Sequence, residues 1–168
     1  LPAANPDEGA FAASGTCLVT GPPGHAWFGT GGVNGARVFH TADWGLTWSV
    51  TQTPLRHDAP SAGVFSLAFR DARHGVATGG DYQKLDDARD NFAITEDGGA
   101  TWRAPRGTPP GGFRSAVAYI TDRMLVATGP ASTDVSSDGG ESWKSADAHG
   151  YHALSVTADK SVWGSGAS

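Results

Sequence analysis

The chain has 168 residues, 39% of them hydrophobic and 10% aromatic, a length and composition normal for one globular domain. A net charge of −5 and the lack of any Lys/Arg cluster exclude a general nucleic-acid binder, which shows a basic face. A single cysteine, Cys17, excludes an internal disulfide and any multi-cysteine metal site, and no run of about 18 apolar residues exists to span a bilayer.

From the start, Leu1-Pro-Ala-Ala-Asn-Pro6 reads as an extended segment. An opening without Met fits a removed signal peptide or a shortened chain. Residues 11–18 are predicted as an opening strand, Gly21-Pro-Pro-Gly24 as its turn and Ala26-Trp-Phe-Gly29 as the second strand. The pattern returns with Phe65, Leu67 and Phe69 on one face, a turn over residues 70–75, and Val76-Ala-Thr-Gly79. It returns again with residues 115–119 followed by Val126-Ala-Thr-Gly129, and last with residues 152–156 followed by Ser161-Val-Trp-Gly164. The many short strands suit the 24 glycines and 10 prolines.

Between these hairpins one octapeptide is written three times: Thr41-Ala-Asp-Trp-Gly-Leu-Thr-Trp48, Thr95-Glu-Asp-Gly-Gly-Ala-Thr-Trp102 and Ser136-Ser-Asp-Gly-Gly-Glu-Ser-Trp143. Each unit then reads as two hairpin strands, a loop, a third strand, the octapeptide turn and a short fourth strand opening at its Trp. Four antiparallel strands in about 40–50 residues is a propeller blade. The fold class is therefore all-β, a β-propeller with about three and a half blades over residues 9–50, 63–104, 113–145 and 151–168 of one partial domain. A propeller needs at least four blades to close. Either the chain is part of a longer one, or two copies complete a ring of seven.

The octapeptide has a structural reading. Asp43, Asp97 and Asp138 accept backbone N–H groups of their own turn, Thr41, Thr95 and Ser136 bond back across it, Gly45, Gly99 and Gly140 supply conformations a Cβ resists, and Trp48, Trp102 and Trp143 pack between blades. A calcium loop would need an oxygen-ligand series that these turns lack. No metal and no cofactor is expected: Gly29-Thr-Gly-Gly32 lacks the ending of a phosphate loop, and the six histidines show no ligand spacing. Asp43 and Asp97 are 54 positions apart and Asp97 and Asp138 are 41, which places an insertion at residues 81–91.

The three octapeptides resemble the Asp-box, or BNR repeat, found in sialidases, other secreted glycosidases, sortilin-type receptors and photosystem II assembly-factor-like propellers. The Val-Ala-Thr-Gly and Trp-Phe-Gly-Thr-Gly-Gly strands are similar to the assembly-factor-like branch. The resemblance implies a propeller that is secreted or periplasmic. Its non-catalytic branch implies a binding or scaffold role, and its sialidase-like branch a glycoside hydrolase whose catalytic set lies in further blades. A sialidase-like site wants an arginine triad and a Tyr/Glu pair. The Arg-Ile-Pro type motif is missing, and the only glutamates after residue 8, Glu96 and Glu141, sit inside octapeptides. Tyr82, Tyr119 and Tyr151 thus lack the expected partner, while Asp86, Asp87 and Asp90 keep a two-carboxylate glycosidase open.

In this strand order the blade connections and the second-to-third-strand loops share the rim opposite the octapeptides. Glu8, Arg56, His57, Asp81, Tyr82, Lys84, Arg114, Tyr151 and His152 gather there as a candidate surface for a protein, peptide or glycan, with Arg114, Tyr151 and His152 expected to edge the central channel.

Overall fold

The computed structural model describes residues 1–12 and 15–166. These form thirteen strands in four antiparallel sheets, each a meander whose spatial order is its chain order. The first sheet holds β1 (Leu18–Thr20), β2 (Ala26–Gly29), β3 (Arg37–Thr41) and β4 (Ser49–Gln52). The second holds β5 (Ala62–Phe69), β6 (Gly75–Asp81) and β7 (Phe92–Thr95). The third holds β8 (Ala116–Tyr119), β9 (Leu125–Thr128), β10 (Thr133–Ser136) and β11 (Lys144–Asp147), and the last β12 (Ala153–Val156) and β13 (Val162–Ser165). The leading strands β1, β5, β8 and β12 lie side by side, so the sheets fan around a common axis as propeller blades, three and a half in number.

Two elements differ from the sequence expectation. Of the expected opening strand 11–18, residues 13–14 lie outside the described residues and Phe11, Ala12 and residues 15–17 are not in a strand; the first strand is β1 at Leu18–Thr20, paired with β2 through Leu18 opposite Phe28. Phe11 is drawn off the ladder because its ring stacks on Phe65, centroids 4.0 Å apart. The fourth strand of the second blade is reduced to one bridge, Ile94 to Arg103. Pro105 follows two residues later, and a residue without an N–H cannot extend a ladder.

The blades are held together by apolar junctions. Trp27, Val38 and Leu55 of the first blade meet Val64, Leu67, Ala77 and Ala93 of the second. Val76, Phe92 and Ile94 of the second meet Val117, Leu125, Ala127 and Trp143 of the third. Each fully buried large side chain contributes about 1.5–3 kcal/mol. Trp27 anchors the first junction twice: its ring stacks on Phe69 at 3.8 Å, and its Nε1 donates to the Gly98 carbonyl at 2.8 Å. Near the axis the seam is polar. The Thr16 and Ser66 hydroxyls bond at 2.7 Å, the Val117 amide donates to Ser66 Oγ at 3.1 Å, and Ser115 Oγ donates to the His152 carbonyl at 3.0 Å. Buried hydroxyls here satisfy one another and stitch successive leading strands.

Candidate functional site

The meander puts two kinds of loop on opposite rims. The three octapeptide turns follow β3, β7 and β10 on one rim, and the 30–36, 53–61, 82–91 and 104–115 segments lie on the other. On the turn rim each octapeptide is tied by short-range hydrogen bonds. Trp44 and Leu46 of the first turn stand exposed, Trp44 beside a cleft of about 540 Å³, and Trp102 Nε1 is buried without a partner among the described residues. In the first turn Thr41 Oγ1 donates to Asp43 Oδ1 at 2.9 Å and accepts the Gly45 amide at 2.9 Å. Asp43 accepts the Thr47 amide at 2.8 Å and the Thr47 hydroxyl at 2.6 Å. The same four bonds recur around Asp97, from Thr95, Gly99 and Thr101. Around Asp138 the Ser136 hydroxyl, the Gly140 amide and the Ser142 amide repeat the pattern. Trp48 and Trp143 add a bond from Nε1 to the glycine carbonyl three residues back, at 3.1 and 3.0 Å. Hydroxyl and amide donors from Thr47 hold Asp43 below the usual carboxylate range. Burial raises the Asp97 carboxyl, but the Thr101 and Thr95 donors outweigh it and the net shift is down. No group of three or more His, Cys, Asp or Glu able to hold a metal is found among the described residues.

The loop rim is open and charged. Arg56 donates to Asp58 and, at 2.5 Å, to Asp87, while Arg89 meets the same Asp87 at 2.6 Å. These alternating charges hold Arg56 up and Asp87 down from their ordinary values, chiefly through the Asp58 and Arg89 hydrogen bonds respectively. A cleft of about 420 Å³ opens beside them, lined by Val33, Pro54, Leu55, His57 and Asp90 as well. His57 is exposed, its Nδ1 2.9 Å from the Leu55 carbonyl oxygen. Asp81 is buried at the end of β6, accepts the Gln83 amide at 3.0 Å, and faces exposed Lys84 at 3.7 Å. Tyr82 is exposed with its ring edge-on to Phe11 and Phe65. Thus Arg56, Asp81, Tyr82 and Lys84 come together around the insertion, which runs from Tyr82 to Asn91 between β6 and β7.

The other candidates stand elsewhere. Arg114 does not edge an open channel: it is fully buried, donating from Nε to Asp134 at 2.9 Å, from Nη2 to Ser132 Oγ at 2.8 Å and from Nη1 to the Phe113 carbonyl. A guanidinium with five donors stays inside only when they find acceptors, and Asp134 on β10, Ser132 and the Phe113 carbonyl supply them. Tyr151 and His152 serve the seam through their backbone, Tyr151 N donating to Thr128 Oγ1 at 3.1 Å. Glu8 is buried against Arg37, joined by residues that the sequence reading did not place on the candidate surface: Thr30, Arg37, Phe11 and Phe65. Burial raises the Glu8 carboxyl, but the Arg37, Thr30 and Asn5 donors reverse that and lower it.

A general acid near neutral pH needs a raised carboxyl pKa. On this rim Glu8, Asp58, Asp81 and Asp87 are all shifted down. Tyr119, one of the tyrosines weighed as a nucleophile, is pushed up to about 12 by burial, partly opposed by Arg70. These four carboxyls stay charged and serve as hydrogen-bond acceptors.

No protein-family model and no curated protein matches the chain. Among solved structures it is similar to YCF48 bound to D1 peptide, with TM-score 0.57 and 16% identity over 90% of this chain and 48% of that one. It is also similar to YCF48 from Cyanidioschyzon merolae, with TM-score 0.53 and 17% identity over 76% of this chain and 35% of that one. At such identity the likeness carries the fold, a β-propeller. The chain spans about half the length of the first structure and about a third of the second.

Proposed function

We propose that this chain is part of a propeller whose loop rim binds an extended segment of a protein partner, as a non-catalytic binding or scaffold module of a secreted or periplasmic protein. The observation that carries this reading is the grouping on the loop rim: the exposed Tyr82 ring, exposed Lys84 and exposed Arg89 stand around the insertion, next to a cleft. Aromatic and arginine side chains around a recess are the residue types that dominate interface energetics. Support also comes from YCF48, which shares the fold and has been seen bound to D1 peptide. No observation in the structure favours the glycoside-hydrolase alternative.

The test is an array of immobilised 12-residue peptides probed with the whole chain, followed by titration of the strongest binder. Tyr82→Ala and Lys84→Ala are each expected to weaken that binding about tenfold or more, which is about 1.4 kcal/mol. Thr47→Ala on the turn rim is expected to leave it unchanged. Retention of full affinity by Tyr82→Ala, or equal loss with Thr47→Ala, would overturn the reading.

A further inference from the structure

The Gly29-Thr-Gly-Gly32 run is not a plain turn. Residues 5–11 lie across it. Gly9 and Gly31 exchange two backbone hydrogen bonds, Gly9 N to Gly31 O at 3.0 Å and Gly31 N to Gly9 O at 2.8 Å. The Glu8 carboxylate enters a cage made by Arg37 Nε at 2.9 Å, Arg37 Nη2, the Thr30 hydroxyl at 2.5 Å and the Asn5 amide at 2.7 Å. Three residues on, the Phe11 ring stacks on Phe65, with Tyr82 against its edge.

Three glycines of the floor face the segment at close range. A Cβ on Gly31 would stand 2.2 Å from the Phe11 ring, one on Gly32 2.1 Å from the Asp7 carbonyl oxygen, and one on Gly35 2.5 Å from Glu8 Cγ. At Gly35 the three atoms nearest to a Cβ all belong to Glu8. The segment lies on the fold through the Glu8 cage, the Gly9–Gly31 pair, the Phe11 ring and Asn34, which bonds the Asn5 side chain and the Pro6 carbonyl. It adds a single bridge and no strand to any sheet, and none of its residues belongs to either apolar junction.

We propose that this glycine floor with its Arg37–Thr30 cage is a peptide groove that the chain occupies with its own residues 5–11, and that the partner it takes in exchange is an extended protein segment carrying a carboxylate and, three residues on, an aromatic ring. The inference deepens the rim-binding reading and rests on it. Main-chain bonding gives such a groove affinity for any extended chain, while the charge-assisted carboxylate contacts and the aromatic pocket give it sequence preference. A tethered occupant sits at high effective concentration, so it lowers the apparent affinity for a competitor by the fraction of grooves left empty.

The experiment uses the whole chain, as wild type and with Glu8→Ala and Phe11→Ala together, titrated with a fluorescent synthetic peptide of residues 1–12. The doubly substituted chain is expected to bind at least tenfold more tightly than wild type, and adding Gly35→Ala to it is expected to abolish binding. Equal binding by the two chains, or no binding by the double variant, overturns the proposal. A double variant that no longer folds also overturns it, because the segment is then integral to the fold. Hydrogen exchange on the wild type gives a second reading: Gly9 and Gly31 amides exchanging at least tenfold faster than those of β5 and β6 support the groove, and equal rates overturn it. Array binding sensitive to Tyr82→Ala, with Gly9 and Gly31 exchange unaffected by peptide, would sink the groove and leave rim binding intact. Binding of the 1–12 peptide with no array binding would do the reverse.

Discussion

Trp27 and Trp163 hold the same place in the fold, each the second residue of the second strand of its sheet. Trp27 is 0% exposed and Trp163 is 67% exposed. Val76 and Val126 hold that place in the two intervening blades, and both are buried. The three buried residues are each followed by another sheet, whereas no sheet follows β13 among the described residues. A propeller blade thus writes its apolar residue at a fixed register, and the next blade decides whether that residue becomes core. The ring of Trp163 carries the same chemistry as that of Trp27 without Phe69 and the Gly98 carbonyl to receive it.

Several substitutions would break or sharpen this contrast. The largest effect is expected for Trp27→Ala, which removes a fully buried ring and its hydrogen bond and should cost about 3–5 kcal/mol in urea unfolding. An effect below about 1 kcal/mol would show that the first junction does not depend on it. Thr95→Val acts one step behind. It removes the buried hydroxyl that accepts the Gly99 amide and bonds Asp97, in the turn that presents the Gly98 carbonyl to Trp27. A loss of about 1–2 kcal/mol is expected, and calorimetry should place it between the two tryptophan variants.

Acid should weaken the same junction. His40 stacks on Trp27 at 4.7 Å and lies 3.0 Å from His25 through their ring nitrogens. Burial, then the charge of His25, lowers the His40 pKa from 6.5, so the folded chain resists a proton that the unfolded chain accepts. Stability is complete above pH 6.5 and falls as the pH drops below it. The melting temperature should decline from pH 7 to pH 5, and His40→Phe should flatten that slope; an unchanged slope would remove His40 from the account. The smallest effect belongs to Trp163→Ala, within about 0.5 kcal/mol, because the ring is already in water. A larger loss in this chain would mean that the open face is covered in solution.

The difference between what the sequence showed and what it hid follows the range of the contacts. The octapeptide turns are readable because their bonds run between residues two to four positions apart, as from Thr41 to Asp43 and Gly45. The insertion is readable because repeats count residues. Arg114 looked like a rim residue because nothing nearby in the chain announces Asp134, twenty positions away, and an arginine's letter does not record whether it is paired. Phe11 fitted an alternating strand until Phe65, fifty-four positions on, offered a stacking partner. The cage around Glu8 joins residues 22 and 29 positions apart, and only the glycines beneath it left a trace in the sequence.

The environment of Trp27 also has an optical consequence. Of the six tryptophans, it is the one stacked on both His25 and His40, and a protonated imidazole quenches indole emission. Trp163 emits from water, far to the red of a buried indole. One chain therefore carries a buried indole that dims as His40 takes up a proton, beside exposed indoles, Trp44 and Trp163, that serve as an internal reference.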